Sequence, residues 1–278
     1  MSRVIVGLIL LLSILIVLFN VEIINVMHQN FVKSYQSNKG VQQYCNYHPH
    51  AMLQENTNRF IPKIVHQTWK DTTLPANVQE WRNECIKINP EWTFRIWTDV
   101  DNRELVKVHY PTLLGVYDSY DVNIKRIDSA RYMMLHRFGG LYMDMDFTCL
   151  QPFQDLFNKS NTFYVAEQES QKKNTDPLIA NAWMAAPANH SFLMTLLAEL
   201  PLTSKEFVLN ATGPNFLTNM IKSYANFSLD PITILPMEDV YGQYYEDVHT
   251  DIGCLNTSQC RDLNPSGITV SFWTHTWH

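Results

Sequence analysis

The 278-residue chain is short of positive charge: 21 lysines and arginines stand against 27 aspartates and glutamates, for a net charge of −6, with no basic block. That absence argues against nucleic acid as a partner, because binding it requires a cationic surface. A mildly acidic protein still binds a phosphorylated ligand when a metal ion bridges the two. Cysteine is scarce, at five (Cys45, Cys85, Cys149, Cys254 and Cys260), and none falls in a C-x-x-C spacing, so a zinc knuckle is not indicated. Internal repeats are missing as well. Aromatic residues, by contrast, make up 12% of the chain and supply a sizeable core.

The clearest segment lies at the N-terminus. After Met1-Ser2-Arg3, the stretch from Val4 to Phe19 carries no charge, and only Gly7 and Ser13 interrupt its apolar run. With Asn20 and Val21 it is about long enough to cross a thin bilayer as a helix. Arg3 before it and Glu22 after it favour a cytosolic N-terminus. No small-x-small cleavage site follows at Phe19 to Glu22, so residues 1–21 are expected to be an uncleaved signal anchor. Residues 22–60 are polar and aperiodic and read as a stem. Residues 61–278 are then expected to form the main domain, on the lumenal side. Five N-x-Ser/Thr sequons, at Asn158, Asn189, Asn210, Asn226 and Asn256, fit a secretory address. Cys254 and Cys260 lie close enough in sequence to close a small loop in an oxidising lumen.

From Ile61 onward strand-like and helix-like patterns alternate. Lys63 to Gln67 reads as a strand. Val78, Trp81, Cys85 and Ile88 recur near helical spacing until Asn89-Pro90 stops the helix. Trp92 to Trp97 is a second strand, and Asp99 is the expected N-cap of a helix reaching His109. Ile124 to Phe138 is the best helix, with Ile127, Ala130, Met134, Leu135 and Phe138 as a buried stripe. Gly139-Gly140 ends it where a left-handed conformation is needed. Leu141-Tyr142-Met143 is then a short buried strand running into Asp144-Met145-Asp146. The alternation implies an α/β domain with a mostly parallel sheet covered by helices, and ligands bind such sheets at the carboxyl ends of the strands.

Two carboxylates one residue apart at the exit of a buried strand suit a hard cation, Mn²⁺ or Mg²⁺, bound together with substrate phosphates. Such an ion neutralises charge on a diphosphate leaving group. Alone, D-x-D also fits a solvated turn or a helix cap. Upstream, Asp128 and Arg131 share one helical face. They read either as a surface ion pair, worth well under about 1 kcal/mol, or as groups that grip a sugar and a phosphate, for which the planar guanidinium is suited.

The stretch from Arg126 to Asp146 resembles the sugar-binding, DXD-containing segment of glycosyltransferase family 32. Ile61 to Lys70 is similar to that family's first strand, Asn89 to Trp92 and Ile96 to Asp99 to its second strand region, and Thr212-Gly213-Pro214 to its Thr-Gly-Pro element. Together these cover most of residues 61–220, and within the family the likeness is to inositol phosphoceramide mannosyltransferases and initiating α-1,6-mannosyltransferases. The resemblance implies a GT-A fold, that is, a Rossmann-like mixed, mostly parallel sheet. It also implies retention of anomeric configuration, Mn²⁺ (or Mg²⁺) dependence, a nucleotide-sugar donor, a glycan or glycolipid acceptor, and a single-pass type II place in the Golgi membrane. Carried over, Asp144 faces the donor and the metal, Asp146 is the direct metal ligand, and Asp128 and Arg131 hold the transferred sugar. Gln67, Thr68, Trp69 and Gly140 line the nucleotide-sugar pocket, with core packing an equal reading for Trp69. His275, in the closing Phe272 to His278 element, completes the metal shell, and His278 is the alternative.

Mannose from GDP-mannose is the donor this resemblance favours, with UDP-galactose or UDP-N-acetylglucosamine as alternatives. No carboxylate declares itself as a nucleophile; Glu167, Glu169, Asp176 and Asn181 lie where acceptor-side groups are expected. Two readings of other classes stand beside the transferase. Asp144 to Thr148 also fits the D-x-D-x-Thr motif of haloacid dehalogenase-like phosphohydrolases, in which the first Asp is a nucleophile. An inactive sugar-binding membrane protein is the other.

Overall fold

The structure, a computed structural model, describes residues 59–154, 156–168, 177–224, 230–245, 248 and 253–274. The expected anchor, most of the stem, Cys45, Glu169, Asp176 and His275 lie outside the described residues. No helix among the described residues is long and apolar enough to cross a membrane.

In chain order the elements are β1 (Ile64–Thr68), α1 (Ala76–Ile88), β2 (Thr93–Trp97), α2 (Asp99–His109), α3 (Leu114–Ser119), α4 (Asn123–Phe138), β3 (Gly140–Met143), β4 (Phe147–Cys149), β5 (Phe163–Gln168), β6 (Leu178–Ala186), α5 (Ser191–Thr203), α6 (Val208–Ala211), α7 (Pro214–Tyr224), β7 (Ile232–Leu235), α8 (Met237–Val240), α9 (Thr257–Leu263) and β8 (Thr269–Ser271). The first third matches the sequence expectations within a residue or two. α1 buries Val78, Trp81 and Cys85 and stops at Asn89, because Pro90 has no N–H to continue it.

The expected cap of α2 is corrected. Thr98, extended at φ −80° and ψ 169°, is the N-cap; its hydroxyl accepts from the Asp101 amide, and the Asp101 carboxylate accepts from the Thr98 amide. Asp99 is the first helical residue, where its charge favours the helix dipole instead. The stripe expected on α4 is corrected as well. Ten of its residues from Lys125 to His136 are buried, polar ones included, while Ile127 and Phe138 are only half-buried. The helix packs against β3 and β6 on one side and α2 and α5 on others, so little of its surface meets water.

The main sheet has the order β2-β1-β3-β6-β5-β7. Parallel pairs join β1 to β2, β1 to β3 and β5 to β7, while β6 is antiparallel to both β3 and β5. Five strands thus share a direction and β6 opposes them, a mixed, mostly parallel α/β sheet. β3 is buried along its whole length, which explains its unbroken apolar run. β4 leaves this sheet and pairs antiparallel with β8, Phe147 opposite Ser271. A disulfide from Cys85 to Cys149 ties α1 to β4, and a second joins Cys254 to Cys260. The second pairing is the one expected from spacing.

Gly139 and Gly140 turn the chain from α4 into β3 at φ 64° and 103°. A Cβ on Gly140 would lie 2.5 Å from the Ile64 carbonyl oxygen, so neither the dihedral nor the space admits a side chain. His66 locks the turn. Trp97 Nε1–H donates to His66 Nδ1 at 3.0 Å, which leaves Nε2–H to donate to the Gly139 carbonyl at 2.8 Å. Burial holds this imidazole neutral, with its pKa down to about 4.

Candidate active site

β3 delivers Asp144 at its carboxyl end, where the Asp144 amide donates to Ala182 of β6 at 2.9 Å and the chain bends into β4. α4 lies alongside and presents Asp128 and Arg131 one turn apart. Both are sunk into the protein, at 3% and 5% exposure, which rules out the surface ion pair. Arg131 Nη2 sits 3.0 Å from Asp144 Oδ1, and its Nη1 lies 3.3 Å from Asp128 Oδ1 and donates to the Asn181 carbonyl at 3.1 Å. One guanidinium thus joins the helix, the end of β3 and the reversed strand β6.

The network extends on both sides. Tyr142 Oη–H donates to Asp144 Oδ1 at 2.6 Å and is 2.8 Å from Thr68 Oγ1. Thr212 Oγ1–H donates to Asp128 Oδ2 at 3.1 Å, and its carbonyl accepts from Tyr132 Oη–H at 2.7 Å. The C-terminal strap closes over the turn: Phe272 donates its amide to the Asp146 carbonyl at 2.8 Å and Thr274 its amide to Asp146 Oδ2 at 3.0 Å. Trp273, between them, adopts φ 50°, a left-handed conformation uncommon for a bulky residue.

Three carboxylates around one guanidinium leave the site short of positive charge. Burial pushes Asp146 up to about 7, with the nearby Asp144 charge adding to it. Asp128 rises to about 6 through burial, against the pull of Arg131. Asp144 is raised by burial and held back by Arg131 and the Tyr142 hydrogen bond. For Arg131 burial opposes the charge, but Asp144, Tyr142 and Asp128 overcome it and keep the guanidinium firmly protonated. Hard oxygen donors with excess negative charge fit a divalent cation such as Mn²⁺ or Mg²⁺. Asp144 and Asp146 would hold it; no set of three or more acidic, His or Cys side chains arranged for a metal occurs among the described residues.

The cleft above these groups has a volume of about 570 Å³. Asp128, Arg131, Asp144 and Asp146 form its polar floor, and Phe207, Val208, Leu209 and Pro214 belong to its apolar wall. The other residues expected in a nucleotide-sugar pocket are not among its lining. Gln67 is fully buried, two positions from core Val65 and so on the same strand face, and both its amide atoms lack a partner among the described residues. Trp69 packs on the cluster of Val78, Trp81 and Phe272. Gly140 faces the backbone of β1. Thr68 reaches the site only through Tyr142. Sequence reasoning missed Tyr142, which read only as part of a short buried strand, and Tyr241, which lies in no motif.

A mixed α/β sheet thus sets an Asp-x-Asp turn beside a buried helical Asp/Arg pair, under a cleft of about 570 Å³. Residues 75–164 match the family described as "Glycosyltransferase sugar-binding region containing DXD motif". The chain is similar to inositol phosphoceramide mannosyltransferase 1 of Schizosaccharomyces pombe, 32% identical over 63% of this chain and 56% of that one. Mannosyl phosphorylinositol ceramide synthase CSH1 of Saccharomyces cerevisiae is 29% identical over 63% of this chain and 46% of its own length. The chain spans about half the length of these curated relatives. Among solved structures, the ligand-free glycosyltransferase domain of the YGT toxin superposes with a TM-score of 0.48 at 11% identity, covering 74% of this chain and 90% of that domain.

Proposed function

We propose that the chain is a retaining, metal-dependent glycosyltransferase of the GT-A fold that transfers mannose from GDP-mannose to a glycolipid or glycan. The observation that carries this reading is Arg131, buried and fixed between Asp128 and Asp144 on the cleft floor. A preorganised acceptor–donor–acceptor row of this kind grips sugar hydroxyls without rearranging when charge develops. Similarity to inositol phosphoceramide mannosyltransferases supports mannose and a sphingolipid acceptor. The apolar wall adds to this: Phe207 is 72% exposed and Leu209 42% exposed beside the carboxylate floor, an arrangement that suits an amphiphile with a hydroxylated headgroup.

A divalent cation bound by Asp144 and Asp146 would neutralise charge gathering on the leaving diphosphate. The chain's own residues do the rest. Asp128 and Arg131 orient the sugar, Tyr142 holds Asp144 in place by its 2.6 Å hydrogen bond, and the apolar wall keeps water from the donor. In a same-face transfer the acceptor oxygen bonds to the anomeric carbon as the bond to the diphosphate oxygen breaks. The acceptor proton passes to that leaving oxygen, so no glycosyl-enzyme adduct forms. The N-terminal apolar run and the two disulfides support a lumenal domain on a single-pass type II anchor in the Golgi membrane.

The test is transfer by the full chain in detergent from GDP-mannose, UDP-galactose and UDP-N-acetylglucosamine to glycolipid and glycan acceptors, with Mn²⁺ or EDTA. Asp146→Ala and a phosphatase assay run beside it. Mannosyl transfer that needs Mn²⁺ and disappears in the variant is expected. Turnover of another donor would replace mannose, phosphate release would favour the phosphohydrolase, and donor binding without transfer would favour an inactive binder.

A further inference from the structure

Tyr241 stands outside every motif discussed above, directly after the short helix α8. Its ring is held on several sides. It stacks on Trp273 at 5.2 Å and 19°, meets Phe147 edge-on at 5.4 Å, and its carbonyl accepts from the Ser271 amide at 2.9 Å. Phenylalanine would satisfy that packing equally well. The hydroxyl is the anomaly: the residue is 1% exposed, yet its Oη is buried with no hydrogen-bond partner among the described residues. A buried, unpaired hydroxyl destabilises a fold unless something else occupies it.

Its position narrows what that could be. Tyr241 lines the same cleft as Asp128, Arg131, Asp144 and Asp146. Among the described residues that line this cleft, two side chains have a buried polar atom without a partner: Tyr241, at Oη, and Arg131, at Nε. Both can donate, and one is cationic. On the floor, both oxygens of Asp128, Oδ1 of Asp144 and Oδ2 of Asp146 already accept from Arg131, Tyr142, Thr212 and Thr274. The unpaired buried atoms of the lining are donors, so the group they complement is rich in acceptors; the excess negative charge of the floor admits an anionic group only together with a cation. A phosphate oxygen meets both conditions, and phosphate is also the partner a cation on Asp144 and Asp146 shares.

We infer that Tyr241 is a ligand-binding residue whose hydroxyl donates a hydrogen bond to a phosphate oxygen of a nucleoside diphosphate group seated over Asp144 and Asp146. This rests on the donor site proposed above. The hydroxyl is held ready by the Trp273 stack, so binding satisfies it without reordering the wall.

The test is titration of GDP and UDP, each with Mn²⁺, into the full chain and into its Tyr241→Phe variant, with thermal unfolding of both proteins free and saturated. Wild-type binding of one diphosphate is expected. The dissociation constant should rise about ten- to a hundredfold in Tyr241→Phe, the loss expected for one hydrogen bond to a charged group. The free variant should melt at the same temperature or higher, since its buried hydroxyl is gone, while its ligand-induced shift shrinks. A structural role alone would lower the melting temperature of the free protein and leave affinity unchanged. Equal affinity of the two proteins would overturn the assignment of Tyr241 and leave the donor site standing. If wild type binds neither diphosphate, the donor site fails, and the role of Tyr241 fails with it.

Discussion

The two sides of the cleft are built differently. Its floor comes from one stretch of chain, Asp128 to Asp146, in which a helix, a glycine turn and a short strand follow one another. Its C-terminal wall is assembled from distant pieces, Tyr241 after α8 and the strap Ser271 to Thr274 that follows β8 against β4. The floor is held by charge and by close backbone approach, and the wall by aromatic stacking and strand pairing. A polar network in a low-dielectric site is intolerant of a missing partner, whereas stacked rings tolerate small changes of shape.

This contrast predicts where damage is greatest. Arg131→Ala should abolish transfer and destabilise the fold by roughly 3–5 kcal/mol, because it strands the buried Asp128 and the half-buried Asp144; denaturant unfolding beside the transfer assay measures both. Arg131→Lys should rescue little, since an ammonium cannot span Asp128, Asp144 and the Asn181 carbonyl as the planar fork does. A variant that keeps its stability would break the comparison, showing the floor to be no more demanding than the wall.

Next come the two disulfides. Removing Cys85–Cys149, 64 residues apart, should cost about 4 kcal/mol by loop entropy, and removing Cys254–Cys260, six apart, about 2 kcal/mol. Paired Cys→Ala variants compared by denaturant midpoint give the ranking, and the reverse order would contradict the loop-entropy account.

Acid should then find the floor through His66. Its folded pKa, down to about 4, lies below the unfolded value near 6.5. The neutral imidazole therefore contributes stability fully above about pH 6.5, and that contribution is lost as pH falls toward 4, for about 3 kcal/mol in all. Unfolding measured across that window should show a shallower pH slope in His66→Gln than in wild type; equal slopes would place the acid sensitivity elsewhere. The smallest effect lies at a helix cap that is not part of the cleft's lining. Thr98→Ala should remove one cap of α2 and cost about 1 kcal/mol with transfer unchanged.

The parts of the site that were legible in advance are those governed by local rules. A glycine pair after a helical period predicts a turn, and a short apolar run after it predicts a buried strand ending in Asp144 and Asp146. The same reasoning could not choose between the two readings of Asp128 and Arg131, because three-residue spacing gives a shared face but not what covers it. Burial under β6, whose Asn181 carbonyl takes Arg131, settles that choice. The stripe expected on α4 was too narrow for a related reason: a helix enclosed by a sheet and other helices has little solvent face to keep polar. Cys254–Cys260 could be proposed from proximity, but Cys85–Cys149 could not, since α1 and β4 meet only once the sheet has formed.

By itself the sequence determined the order of the main strands and helices from β1 to β3, the glycine turn that no other residue can occupy, and the Asp-x-Asp pair at the end of β3. These follow from periodicity and backbone sterics, which act within a few residues. Only the tertiary structure decided that β6 runs against its neighbours, that Gln67 and Trp69 turn into the core rather than the cleft, and that Tyr241 faces the carboxylates. Those outcomes depend on which surfaces are buried against which, and burial is a property of the packed chain rather than of any one stretch of it.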